Sequence, residues 1–268
     1  MGMALEIVTG FVTAPGATFT PWTVAAGNSL TVRNAPLDRR VFLISAWADN
    51  QVAGTLRIRS PRLHDNVQGI RLGVAAGNPL PLLPLGFKQP LVPQDTLVVE
   101  QTGSGVAGQI ETGALLIFYE DLPGTSARLW RPEDVFNRMT NIFTVENTLA
   151  LGTAGGYSGE ESIKAEFDLF KANTDYALLG YLVSAECAVV RWRGADVGNL
   201  GVGGPGNPAL RHITSEWFVR LSRATGFPTI PIFNSANKDG ILVDGAQDQT
   251  GTDVTVTSIF AEIGPATR

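Results

Sequence analysis

The chain has 268 residues, 44% hydrophobic and 17% charged, with 30 Gly and 16 Pro; this is too apolar for a disordered chain and too rich in turn formers for a helical bundle. Twenty basic residues against 25 acidic ones give a formal charge of -5, which excludes bulk packaging of nucleic acid by charge and offers no basis for sequence-specific nucleic-acid binding. The single cysteine, Cys187, rules out an intrachain disulfide and a cysteine-based zinc site, and in its apolar run it reads as a buried small hydrophobe.

In chain order, short apolar runs bounded by turn residues predict an edge strand over 6–13 and strands over 29–33, 40–47, 55–60, 70–74, 96–101 and 113–120. Gly27-Asn28, Asp49-Asn50, Gly77-Asn78-Pro79 and Gly103-Ser104-Gly105 punctuate them. A helix is predicted over 130–142, with Pro132 in its first turn, acids behind it, and Val135, Phe136, Met139 and Ile142 on one face. Strands follow over 162–170, 176–183 and 188–192, then a helical insertion over 207–226, then strands over 229–233, 241–243 and 253–262. The N-terminus lacks the basic segment of a secretory signal, and no apolar run approaches the ~18 residues of a membrane span.

The two halves echo one another. Leu43-Ile44-Ser45-Ala46 returns as Leu182-Val183-Ser184-Ala185, Arg57-Ile58-Arg59 as Arg191-Trp192-Arg193, and Gly77-Asn78-Pro79 as Gly206-Asn207-Pro208. Gly86-Phe87 returns as Gly226-Phe227, the run 95–100 as 239–244, and Ile117-Phe118-Tyr119-Glu120 as Ile259-Phe260-Ala261-Glu262. Shared order at separations near half the chain length indicates a duplication, with an insertion of 11 residues in the later half between Gly206-Asn207-Pro208 and Gly226-Phe227. The expected architecture is all-β: two tandem eight-stranded antiparallel jelly-roll sandwiches over 1–123 and 147–268, a connector with a helix over 124–146, and one inserted helix in the second barrel.

Chemistry is sparse. Gly198 to Gly206 has the composition of a phosphate loop but lacks its Lys-Ser/Thr ending, and it reads as a surface loop. His64 and His212 have no partners at metal-ligand spacing. Glu160, Glu161, Asp196 and Glu216 suit hydrolysis by residue type alone, since nothing in their spacing selects a pair. Asp244, Asp248 and Asp253 flank a Gly-rich turn with the charge to attract calcium but without the order of an EF loop; no other cofactor or metal is expected. Arg57 with Arg59, and Arg191 with Arg193, each put two cations on one strand face. Two readings stay open: pairing with acids on an outer sandwich face, or contact with phosphates of lipid head groups or a genome. The Pro-rich apolar segment with Pro81, Leu83 and Leu85, together with Trp130 and Phe136, is the expected contact surface between chains.

Two successive barrels of similar size, joined by a helical connector and built without cysteine pairs, resemble the double-jelly-roll major capsid proteins of tailless icosahedral viruses, of the corticovirus, tectivirus and finnlakevirus types. The resemblance implies a non-enzymatic homotrimer in which six similar barrels form a pseudo-hexagonal block. It further implies blocks that tile a virion shell around the genome, with minor capsid or penton proteins as partners and an internal lipid membrane beneath. A carbohydrate-active double jelly roll of the glycan amidase kind, with carboxylates in the groove between domains, and a glycan-binding virion spike are the alternatives.

Overall fold

The computed structural model describes residues 2–63, 66–77, 79–152, 154–248 and 252–265. The first half contains β1 (Ala4–Thr13), β2 (Thr20–Pro21), β3 (Thr23–Val24), β4 (Val41–Asp49), β5 (Gly54–Arg59), β6 (Ile70–Val74), β7 (Leu80–Pro81), β8 (Gln89–Leu91), β9 (Val98–Thr102) and β10 (Ile110–Tyr119). After these come β11 (Leu129–Trp130), α1 (Pro132–Phe136), β12 (Asn141–Leu151), β13 (Tyr157–Ser162), β14 (Thr174–Val183), β15 (Cys187–Arg193) and β16 (Val202–Gly206). The chain ends with α2 (Arg211–Thr214), α3 (Trp217–Thr225), β17 (Ile230–Asn234), β18 (Leu242–Ala246) and β19 (Thr252–Pro265).

The strands form four antiparallel sheets, two per half. In the first half they run β3-β1-β10-β4-β7, with β8 also on β4, and β2-β9-β5-β6; in the second, β11-β17-β14-β19-β12 and β13-β18-β15-β16. Setting aside β3 and β11 and counting β7 and β8 as one broken strand, both halves give the same order, first-eighth-third-sixth in one sheet and second-seventh-fourth-fifth in the other. That is the connectivity of a jelly roll. Most echoed landmarks land on equivalent strands: Ser45 on β4 and Ser184 just after β14, Arg57 and Arg191 on β5 and β15, Glu100 and Asp244 on β9 and β18, Ile117 and Ile259 on β10 and β19; Gly86-Phe87 lies between β7 and β8, whereas Gly226-Phe227 precedes β17.

The β1-β10-β4 sheet explains the near-continuous apolar runs of the first half. All nine residues of β4 and nine of ten in β10 are buried, because both faces are covered. Val8, Leu43, Ala46, Leu115 and Ile117 point into the first sandwich. Leu5, Ile7, Phe42, Ile44, Trp47, Leu116 and Phe118 instead join the second half's core. Trp47 anchors this seam by donating to the Ala188 carbonyl at 2.8 Å and meeting Trp217 edge-on at 6.1 Å, while Phe227 stacks on Phe118 at 4.4 Å.

Four local expectations are corrected. The Gly-rich stretch 198–206 is not a surface loop: its second part is β16, buried throughout. Glycine is required there by crowding, since a Cβ on Gly204 would sit 2.3 Å from the Tyr181 hydroxyl and one on Gly203 would sit 2.2 Å from the Val190 carbonyl oxygen. The connector helix stops at Phe136, because Ile142, Thr144 and Val145 are taken into β12, which pairs with β19 from Asn141 to Leu151. Residues 29–33 form the bridge Thr31–Thr96 and backbone bonds to Gln94, Asp95 and Leu97 rather than a full strand, and the strand expected over 162–170 ends at Ser162. The insertion is helical as expected: α2 and α3 lie between β16 and β17, and α3 ends at Gly226 with φ +73°.

Candidate functional site

The duplicated Arg-x-Arg motifs build two equivalent ion-pair stations. Pairing of β5 with β9 sets Arg57 opposite Glu100, and pairing of β15 with β18 sets Arg191 opposite Asp244. Arg57 Nε donates to Glu100 at 2.7 Å, while Arg59 reaches both oxygens of the same carboxylate at 2.8 and 3.0 Å. Hydrogen bonds from Arg59 and then Arg57 hold the Glu100 carboxyl below its ordinary range. In the second station Arg191 takes Asp244 in a bidentate pair at 2.9 and 2.6 Å, and Arg193 adds a bond at 3.1 Å and a contact with Glu160.

The stations differ in what lies over them. The first is topped by Phe19, whose ring lies 3.9 Å from the Arg57 guanidinium carbon, and Arg71 lies exposed beside it at 5.4 Å from the same ring. The second is sealed by the first sandwich: the Arg191 guanidinium lies 3.2 Å from the Tyr157 ring centre, and the Tyr157 hydroxyl meets Thr9 at 2.5 Å. Burial pushes the Tyr157 phenol up to about 12. Acid pairing therefore accounts for all four arginines, and Arg191, buried at the seam, cannot reach a lipid or genome phosphate.

A second constellation, without a sequence signature, closes one end of the seam. Asp49 ends β4, Glu111 lies on β10, Glu186 precedes β15, and Asp248 follows β18. Asp49 is 1% exposed. Burial, with Asp248, Glu186 and Glu111 around it, pushes its carboxyl up to about 9, and a side-chain hydrogen bond joins it to Glu186. Burial likewise raises Glu186, and it raises Asp248 to about 6 against the hydrogen bond from the Gln51 amide. Glu111 accepts from the backbone N–H groups of Gln51 and Ser104. Alongside, the Thr112 hydroxyl donates to the Gln247 carbonyl at 3.2 Å. Among the described residues, no three His, Cys, Asp or Glu side chains are arranged to hold a metal ion.

The other sequence candidates are dispersed. Asp196 is consumed by Asn234 and Asn237, Glu216 by Arg220, and Glu160 by Arg193. Glu161 is partly exposed on β13. Of the acids considered for calcium, Asp244 is held by Arg191, Asp248 belongs to the seam cluster, and Asp253 is exposed on β19. His212 is exposed on α2, and His64 lies outside the described residues. Cys187 is buried, and burial drives its thiol well above the usual range.

Of the expected contact residues, Leu83 is a correction: at 6% exposure it packs inside the first sandwich. Pro81 is half-buried opposite Trp47, whereas Leu85 and Phe136 are each 38% exposed. Trp130 is half-buried and walls a cleft of about 310 Å³ with Asp134, Asn137 and Arg138. Met139 and Ile142, at 37% and 52% exposure, continue the exposed apolar residues from Phe136.

No family model and no curated protein matches the chain. Among solved structures, the crystal structure of the PBSX exported protein XepA is similar over 96% of this chain and 86% of that chain, with 12% identity and a TM-score of 0.28. A cupin 2 conserved barrel domain protein from Leptotrichia buccalis is similar over 96% and 89%, with 10% identity and a TM-score of 0.19. Neither likeness adds to what the strand order establishes, an all-β fold of antiparallel sandwiches.

Proposed function

We propose that the chain is a structural shell protein, a viral major capsid protein of double-jelly-roll type that assembles as a homotrimer and then as a lattice in the virion. One observation carries this reading. The two sandwiches stack head to tail, the outer face of the first half's β1-β10-β4 sheet against the outer face of the second half's β15-β16 sheet. Of the faces equivalent to these, the Arg57–Arg59 face of the first sandwich is left open, and in the second the β12 part is open, with Thr144, Glu146 and Thr148 exposed, while α2 and α3 cover β14. A contact that already joins half to half, repeated between chains, closes three chains into a ring of six similar barrels.

The open faces are more polar than the seam, which suits contacts formed between separately folded blocks. On this reading no cofactor and no catalysis are required, and the partners are copies of the chain, minor capsid or penton proteins, and a lipid membrane under the shell. Negative-stain microscopy of the purified chain should reveal pseudo-hexagonal blocks and, at high concentration, sheets or shells. Monodisperse single chains under every salt condition would overturn it.

One observation favours the glycan-processing alternative: carboxylates with raised proton affinity cluster between the two sandwiches. Release of glycan from a glycopeptide that is abolished by Asp248→Asn would establish that reading and displace the structural one.

A further inference from the structure

The seam is apolar along most of its length, but its β4–β5 end is closed by acids contributed from both sides. Asp49 and Glu111 come from the first sandwich, Glu186 and Asp248 from the second. Among the described residues, the charged groups that face Asp49 are Asp248, Glu186 and Glu111, all acidic. Two of the carboxylate oxygens, Asp49 Oδ1 and Glu186 Oε1, are closed to solvent and have no hydrogen-bond partner. Asp49 is buried and Glu186 half-buried; two ionised carboxylates in contact there, each with an oxygen closed to water, repel strongly, so the contact between Asp49 and Glu186 exists only with a proton between them.

From this arrangement we propose that one proton shared by Asp49 and Glu186 latches this end of the seam, and that its loss at alkaline pH loosens the contact between the two sandwiches. The neighbours give the latch a place to act. The Trp47–Ala188 hydrogen bond lies two residues from each member of the pair, and the Gln51–Asp248 and Thr112–Gln247 contacts flank it. Ionisation of both carboxyls therefore puts repulsion across the strip where β4, β10 and the turns around Glu186 and Asp248 meet.

The sign follows from linkage. A carboxyl whose proton affinity is higher in the folded than in the unfolded chain makes stability fall as pH rises, from the ordinary carboxylate range up to the folded value. For Asp49 that window extends to about pH 9. Thermal unfolding of the full chain between about pH 6 and about pH 9 should show the midpoint falling by at least ~4 °C. In Asp49→Asn, which keeps the shape and the donor but cannot ionise, the midpoint should stay level within about 1 °C, and in Glu186→Gln the fall should be at least halved. Wild-type infrared spectra near neutral pH should contain a protonated carboxylic acid band that disappears as the midpoint falls; this readout needs no variant.

An equal slope in wild type and Asp49→Asn, or no such band, would overturn the proposal. Restoration of the alkaline midpoint by excess calcium or magnesium would also overturn it, by making a metal rather than a proton the occupant.

Discussion

The seam predicts a contrast between two glycines at equivalent strands. Gly203 lies on β16 opposite Arg191 and Gly73 on the equivalent strand β6 opposite Thr55, and the first faces the other sandwich while the second faces open space. An alanine at 203 would place its Cβ 2.2 Å from the Val190 carbonyl oxygen and 3.0 Å from Ile7 Cδ1. The first of these is backbone in a paired strand, so relief requires β16 to shift away from β15, or the first sandwich to back off. Overpacking of this kind costs about 1–3 kcal/mol, and the backbone contact puts Gly203→Ala at the upper end. For a chain of this size that is a fall of roughly 6–12 °C in Tm. Gly73→Ala, with nothing within 4 Å of the new methyl, should stay within about 0.5 kcal/mol of the parent. Calorimetry of both variants checks this; equal midpoints would refute the assignment of one face to the seam and the other to the outside.

The two arginine stations should separate in the same way: Arg191→Ala, which strips the bidentate partner from the buried Asp244, should cost about 3–5 kcal/mol by urea unfolding. Arg57→Ala leaves Glu100 held by Arg59 on both oxygens and should cost about 1.5 kcal/mol. Leu83→Ala should destabilise by about 2–5 kcal/mol, whereas Leu85→Ala, at an exposed position, should change Tm little and act, if at all, on association measured by sedimentation. Because Glu100 is held below its ordinary range by Arg59 and Arg57, its contribution is complete at neutral pH and is lost as pH falls through its folded value. Acid titrations of Tm should therefore be shallower for Glu100→Gln than for the parent, and the variant should already be less stable at neutral pH.

Much of the architecture was legible because duplication wrote it twice. Short echoes such as Arg57-Ile58-Arg59 and Arg191-Trp192-Arg193 carry little alone, but their common order tracks equivalent strands through both halves. The helical insertion was legible too, from Trp217 and Leu221 at helical spacing and Gly226 at its end. The seam was not. Nothing local distinguishes Gly203 and Gly204 in a buried strand from glycines in a loop, since the reason for them is Ile7, Tyr181 and Trp217 pressing from elsewhere in the chain. Asp49, Glu111, Glu186 and Asp248 are spread over some two hundred residues, and only the stacking of one sandwich on the other gathers them. The helical spacing of the connector continues through Met139 and Ile142, but the helix ends at Phe136 and the pairing of β12 with β19 takes Ile142 into a strand. The arginine pairs were placed correctly on strand faces, but their acidic partners, Glu100 and Asp244, became visible only through register.

The mass of the particle in solution is the most direct test of the account. Size-exclusion chromatography with light scattering, run on the full chain across a salt series, should return three times the 28.5 kDa chain mass, with larger assemblies at high concentration. A chain mass of one at every concentration and salt, with no lattice on the microscope grid, would contradict it.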